Sequence, residues 1–149
     1  MELGDLLRGR WLGHPVHPAL TDLPIGFWSS AFFLDFAGVK AAPAADAFVA
    51  AGVATAVPTI ATGLAELGTL PTGHPARRVA VAHAASNSAA TALYAASWLA
   101  RRRGDRGQGV ALGMTGAAVA TFGAYLGGHL VFRHGVGSIV GRRGAERPD

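Results

Sequence analysis

Six histidines and no cysteine define the chemistry open to this 149-residue chain. Without a thiol there is no disulfide, thiolate zinc site, cysteine-ligated iron-sulfur cluster, covalent c-type haem or cysteine nucleophile. Imidazole nitrogens and carboxylate oxygens are the remaining metal ligands. The serines Ser29, Ser30, Ser86, Ser88 and Ser97 lack a GxSxG setting, so nucleophilic hydrolysis is poorly supported. His14 and His17 lie in a His-Pro-Val-His-Pro run, His74 in a Pro/Gly-containing stretch, and His83 four residues before Asn87. His129 and His134 flank Arg133. Two imidazoles can hold a b-type haem, and a mixed imidazole-carboxylate set suits zinc, iron or copper.

The composition indicates what must position these groups. Half the chain is hydrophobic and only 15% is charged, well below the charge content of soluble domains. Four long apolar stretches stand out: 19–39, 44–70, 79–100 and 109–132. At about 1.5 Å per helical residue each can span the hydrocarbon layer. A soluble alanine-rich bundle would need a polar outer stripe on each helix, and almost no charge is available for one. The expected fold is all-α, an integral membrane four-helix bundle running up-down-up-down. It comprises an N-terminal segment over 1–18, a transmembrane domain over 19–134 and a tail over 135–149. Glu2 and Asp5 precede the first basic pair and no small-residue cleavage site follows, so the first span is expected to be retained. The net charge of +4 comes from arginines between the apolar stretches, without the interleaved aromatics of a nucleic-acid platform. No nucleic-acid partner is expected; the lipid bilayer is.

Four crossings place both termini and the link between the second and third spans on one side. That side carries eight basic residues (Arg8, Arg10, Arg77, Arg78, Arg133, Arg142, Arg143, Arg147) against five opposite (Lys40, Arg101, Arg102, Arg103, Arg106). The bias favours cytoplasmic termini in a bacterial inner membrane. All six histidines fall at this end, with Asp22 and Glu66, leaving Asp35 and Asp46 at the other. Helical spacing draws three polar rows: Thr55, Thr59, Thr62 and Glu66; His83, Asn87, Thr91 and Tyr94; Thr121, Tyr125 and His129. Buried polar groups are costly in hydrocarbon, so the rows are expected to face one another or a wet cavity. The hydroxyls can equally serve as glue between helices. Gly109 with Gly113, and Gly123 with Gly127, form GxxxG pairs that suit close packing within the bundle or a homo-oligomer.

Prolines stiffen the run from His14 to Pro18 into an extended lead to the first helix. With Asp22-Leu23-Pro24-Ile25-Gly26, Ala82-His83 with Asn87, and Gly127-Gly128-His129-Leu130-Val131-Phe132-Arg133-His134-Gly135-Val136-Gly137, this pattern resembles a bacterial family catalogued as domain of unknown function 2231. The resemblance covers residues 11–140 and implies four transmembrane helices. Relatives joined to Rieske-type domains further imply membrane electron transfer. Its polar positions would be His14, His17, Glu66, His83, Asn87, His129, Arg133 and His134. The chain departs from the pattern at Asp22, where histidine is common, and at His129, where glutamate is.

Three readings remain open. In the first, a b-type haem is bound by His83 with His17 or His129 opposite. Asn87 and His134 lie close by, Arg133 pairs with a propionate, and Trp11, Phe27 and Trp28 pack near the ring. In the second, His14, His17, Asp22, Glu66, His83 and His129 supply a non-haem zinc, iron or copper site. The third is a non-catalytic membrane anchor or partner subunit with a structural polar core, binding a Rieske-type or other redox protein. A proton relay is a further use of such groups, although no inverted repeat accompanies them.

Overall fold

The computed structural model describes residues 2–136, and the remaining tail, with Arg142, Arg143 and Arg147, lies outside them. All regular structure among the described residues is helical. A short helix α1 (Leu3–Leu7) and a single 3-10 turn lead into four long helices, α2 (Val16–Phe36), α3 (Ala42–Leu67), α4 (Arg77–Arg102) and α5 (Arg106–His134). Local signals bound α2 and α5. Pro15, at φ −65° and ψ 129°, holds the chain extended so that α2 begins at Val16. This start precedes the apolar stretch and places His17 in the first helical turn. The Asp105 carboxylate accepts from the Gln108 amide and caps α5, which ends at left-handed Gly135 (φ 66°). The Gly135 amide donates to the Val131 carbonyl at 3.1 Å, the bond of an αL cap, and the Val136 amide to the Leu130 carbonyl at 3.0 Å, with Val136 packed on the cluster that holds Leu130. Arginines flanking the third and fourth apolar stretches continue their helices, because charge changes membrane depth without breaking backbone hydrogen bonds.

Among the described residues two segments are long and apolar enough to cross a membrane, Val39–Leu67 and Arg106–His134. The helices α2 and α4, both expected to qualify, fall outside that pair. α4 carries His83, Asn87, Ser97 and terminal arginines, while α2 carries prolines, Trp28 and Asp35.

Packing is closest within α2–α3 and α4–α5, with α3–α4 joining the two pairs and α2 barely touching α5. The α4–α5 contact is a row of side chains seated on glycines. Arg101, Ser97, Tyr94, Asn87 and His83 lie respectively over Gly109, Gly113, Gly116, Gly123 and Gly127. A Cβ at Gly109, Gly123 or Gly127 would stand 2.5, 2.8 or 2.9 Å from its guest. Steps of four and three down one helix match steps of four and three up the other, as an antiparallel pair requires. Trp28 on Gly52 and His17 on Gly63 repeat the device between α2 and α3. In the core Trp28 stacks on Tyr94 with ring centroids 4.1 Å apart and planes 7° from parallel.

Pro24 is buried within α2 and leaves the Leu20 carbonyl without its amide partner. The Thr59 hydroxyl, on α3, donates to that carbonyl at 3.3 Å while also reaching its own Thr55 carbonyl at 2.8 Å. A neighbouring helix thus repairs the proline gap, as apolar surroundings demand.

One end of the helices is closed by charge. Arg101 donates to both oxygens of Asp35 at 2.8 and 2.6 Å and to Asp46 at 2.9 Å. Arg106 joins the same acids at 2.8 and 3.0 Å. The Arg101 Nε donates to the Ser97 hydroxyl, which donates to the Gly109 carbonyl at 2.6 Å. Side-chain exposure is 1% for Arg101 and 8% for Asp35, so the pair is desolvated. Breaking it from one side strands a charge. Arg101→Met should destabilise the protein by about 3–5 kcal/mol, read as a lower thermal unfolding midpoint in detergent, whereas Arg101→Met with Asp35→Leu should lose less than Arg101→Met alone.

Candidate functional site

Toward the other end two imidazoles from different helices face one cavity. His17 reaches across to α3, its Nδ1 lying 2.9 Å from the Thr59 carbonyl and 3.2 Å from the Thr62 hydroxyl. His83 reaches across to α5, its Nδ1 lying 2.8 Å from the Gly123 carbonyl. The rings stand 6.2 Å apart, centroid to centroid, at 89°. Each ring sits against a glycine: a Cβ at Gly63 would lie 2.8 Å from His17 Cε1, and one at Gly127 would lie 2.9 Å from His83 Cε1. The missing side chains let the imidazoles reach the facing backbone.

These bonds fix the protonation pattern. A carbonyl only accepts, so each Nδ1 carries the hydrogen, and a neutral ring then presents the Nε2 lone pair. Asn87 donates to the His83 carbonyl at 2.8 Å, while its amide nitrogen stands 3.3 Å from His83 Nδ1 and 3.5 Å from His83 Nε2, both longer than a strong bond. Anchoring one imidazole nitrogen on the main chain while the other stays available is how proteins orient histidine toward a ligand or metal.

The cavity has a volume of about 300 Å³ and lies among α2, α3, α4 and α5. Its walls are chiefly apolar, including Ile25, Trp28, Leu67, Ala124 and Leu130, and its polar groups include His17, Thr59, Glu66, His83 and Asn87. Trp28 closes its floor with its indole ring, whose Nε1 is turned to Gly52 on α3.

The structure assembles part of the expected set. His17, Glu66, His83 and Asn87 line the cavity, whereas His14 and Asp22 are exposed and Arg133 points outward at the end of α5. His129 packs against His134 with centroids 5.4 Å apart, and neither lines the cavity. His74 accepts from the Ala76 amide at 3.2 Å and shapes the turn before α4. Among the described residues no three His, Asp or Glu side chains come close enough to hold a metal ion, so the six-residue metal set is not assembled. From α2, α3 and α4, the residues His17, Thr59, Glu66, His83, Asn87 and Thr91 line the cavity, while Thr55 and Tyr94 of the same rows do not. The α5 row does not: Thr121 and Tyr125 are exposed, Tyr125 at 68%, because the glycines occupy the face of closest approach. Thr121 satisfies its hydroxyl on its own helix, at the Ala117 carbonyl.

Sequence reasoning assigned Arg101 to a basic loop and missed its network with Asp35, Asp46 and Arg106. The signal was present, since Arg101 extends the four-and-three stepping of Tyr94 and Ser97. The glycine seats offer a direct test. Gly127→Val must displace the His83 ring, whereas a Cβ at Gly128 meets only the Phe132 ring at 3.9 Å. Gly127→Val should cost about 1–3 kcal/mol in thermal unfolding, and Gly128→Val should remain near wild type.

No curated protein and no solved structure matches the chain. A family described as "Predicted membrane protein (DUF2231)" matches residues 13–139, a stretch that holds His14, His17, His83, the glycine-seated helices and the left-handed cap at Gly135. The match takes in all four long helices and every residue lining the cavity, and the chain belongs to this family of membrane proteins.

Proposed function

We propose that the chain crosses the bilayer four times, up-down-up-down, and serves as a redox subunit that holds a redox-active ligand in the cavity between His17 and His83. The observation that carries this reading is the paired imidazoles, each anchored through Nδ1 to a main-chain carbonyl and each keeping Nε2 for a ligand. Supporting the crossings are the two apolar segments and the large apolar side chains on the outer surface, such as Phe33 at 71% and Phe132 at 91% exposure. In α2 and α4 the costliest polar groups are satisfied by neighbouring helices, as at His17, His83 and Arg101, and the Ser30 and Thr91 hydroxyls by carbonyls of their own helix, so these helices can cross despite lower hydropathy.

A b-type haem would be held by His17 and His83 and would supply one-electron chemistry, with the Thr59 and Gly123 carbonyls orienting the two rings. The volume of about 300 Å³ is at the lower end for ligand cavities, which favours a group of one or two rings over a four-pyrrole macrocycle. The second reading, a non-catalytic subunit that anchors a partner such as a Rieske-type protein, draws on the closed Arg101 network and the glycine seats, which have a structural use without any ligand.

Untagged protein purified in detergent decides between the two. Reduced-minus-oxidised spectra, together with redox assay of an organic extract, should reveal a bound redox-active compound near one per chain. It should be absent from folded His17→Phe and His83→Phe variants. Wild-type protein with neither chromophore nor extractable compound removes the redox reading and leaves the partner subunit.

A further inference from the structure

We infer that the cavity binds a lipid-soluble hydroquinone, an aromatic ring bearing hydroxyl groups, which enters sideways from the acyl layer between α2 and α5. The inference rests on the cavity being the functional site, as proposed above, and adds the ligand class and its route. Three observations carry it.

The first is hydrogen-bond polarity. With Nδ1–H of both rings committed to the Thr59 and Gly123 carbonyls, the neutral imidazoles offer lone pairs and no hydrogens to the cavity. A ligand that engages both rings must therefore bring donors. Ring hydroxyls do so, whereas an ether or ester of the same shape leaves both Nε2 atoms unmatched, a mismatch that is costly when water is excluded. The second is shape and lining. A mostly apolar space of about 300 Å³, floored by Trp28 stacked on Tyr94, suits one or two flat rings. The third is access. α2 and α5 barely touch, and along this seam Ile25, Ala124 and Val131 line the cavity while remaining exposed, with Ile25 at 50% and Val131 at 38%. In a bilayer that seam faces hydrocarbon. An apolar ring with a hydrocarbon tail can therefore reach the imidazoles without passing through water.

The ring hydroxyls donate to the Nε2 atoms of His17 and His83, and the apolar tail leaves through the seam. The proposal concerns binding; no oxidation of the ligand is invoked.

The test is calorimetric titration of the full-length protein in lipid nanodiscs with a decyl-substituted para-hydroquinone and with its dimethyl ether, which keeps the ring and loses the donors. The hydroquinone should bind at one site per chain and the ether about tenfold or more weakly. His17→Phe and His83→Phe should each weaken hydroquinone binding by about tenfold while leaving ether binding unchanged. Ala124→Trp, at the mouth and away from the imidazoles, should weaken both compounds. Equal affinity for hydroquinone and ether overturns the donor argument without needing any variant to fold, and Ala124→Trp binding at wild-type affinity overturns the route. If purified protein carries a haem or another redox compound and the hydroquinone does not bind, this inference fails while the redox reading stands. If neither is found, both fail.

Discussion

The constraint on which the structure depends is the close approach of α4 to α5, possible only because α5 presents glycine wherever α4 presents a polar or bulky side chain. Lipid supplies no net hydrophobic drive to push helices together, so their association requires intimate packing and hydrogen bonds. Seating Arg101, Ser97, Tyr94, Asn87 and His83 on five glycines provides both. It brings α5 carbonyls within reach of side chains, so Ser97 can donate to Gly109 and His83 to Gly123. The same logic between α2 and α3 sets Trp28 on Gly52 and, eleven residues back along α2 and eleven onward along α3, His17 on Gly63. The GxxxG pairs are therefore consumed by internal packing, which leaves little of those glycine faces for contacts between copies.

The two ends of this frame treat polarity in opposite ways. At one, Arg101 and Arg106 spend their donors on Asp35 and Asp46, and the network is closed. At the other, each imidazole spends one nitrogen on the backbone and keeps the second, beside a cavity that the helices do not fill. A saturated ion cluster is suited to holding four helices in register. A half-satisfied pair of imidazoles is suited to meeting something that is not part of the chain. Between them Trp28 and Tyr94 form a stacked layer that separates the charges from the cavity.

Much of this was legible in the sequence. The lack of charge in the apolar stretches implied long helices, the HPVHP run implied an ordered start, and four-and-three spacing put His83, Asn87 and Tyr94 on one face of α4. Those features are local: they depend on residue type and helical period alone. The pairing of His17 with His83 followed from the even number of helices between their ends. Their selection over His129 did not, because the rotation of α5 about its axis is decided by which of its faces packs. Periodicity marked a polar face on Thr121, Tyr125 and His129 and a glycine face elsewhere, and could not rank them. Close packing did, turning the glycines inward and the polar row out.

The sequence by itself determined that the chain is helical, rich in membrane-compatible surface, free of thiol chemistry and furnished with histidines toward one end, since composition and the 3.6-residue period require no partner. Only the tertiary structure decided which imidazoles meet, which nitrogen each presents, that Arg101 belongs to an ion network rather than a basic loop, and that α2 and α5 stand apart. These depend on distances between residues forty to seventy positions apart, set where a side chain of one helix meets the bare backbone of another.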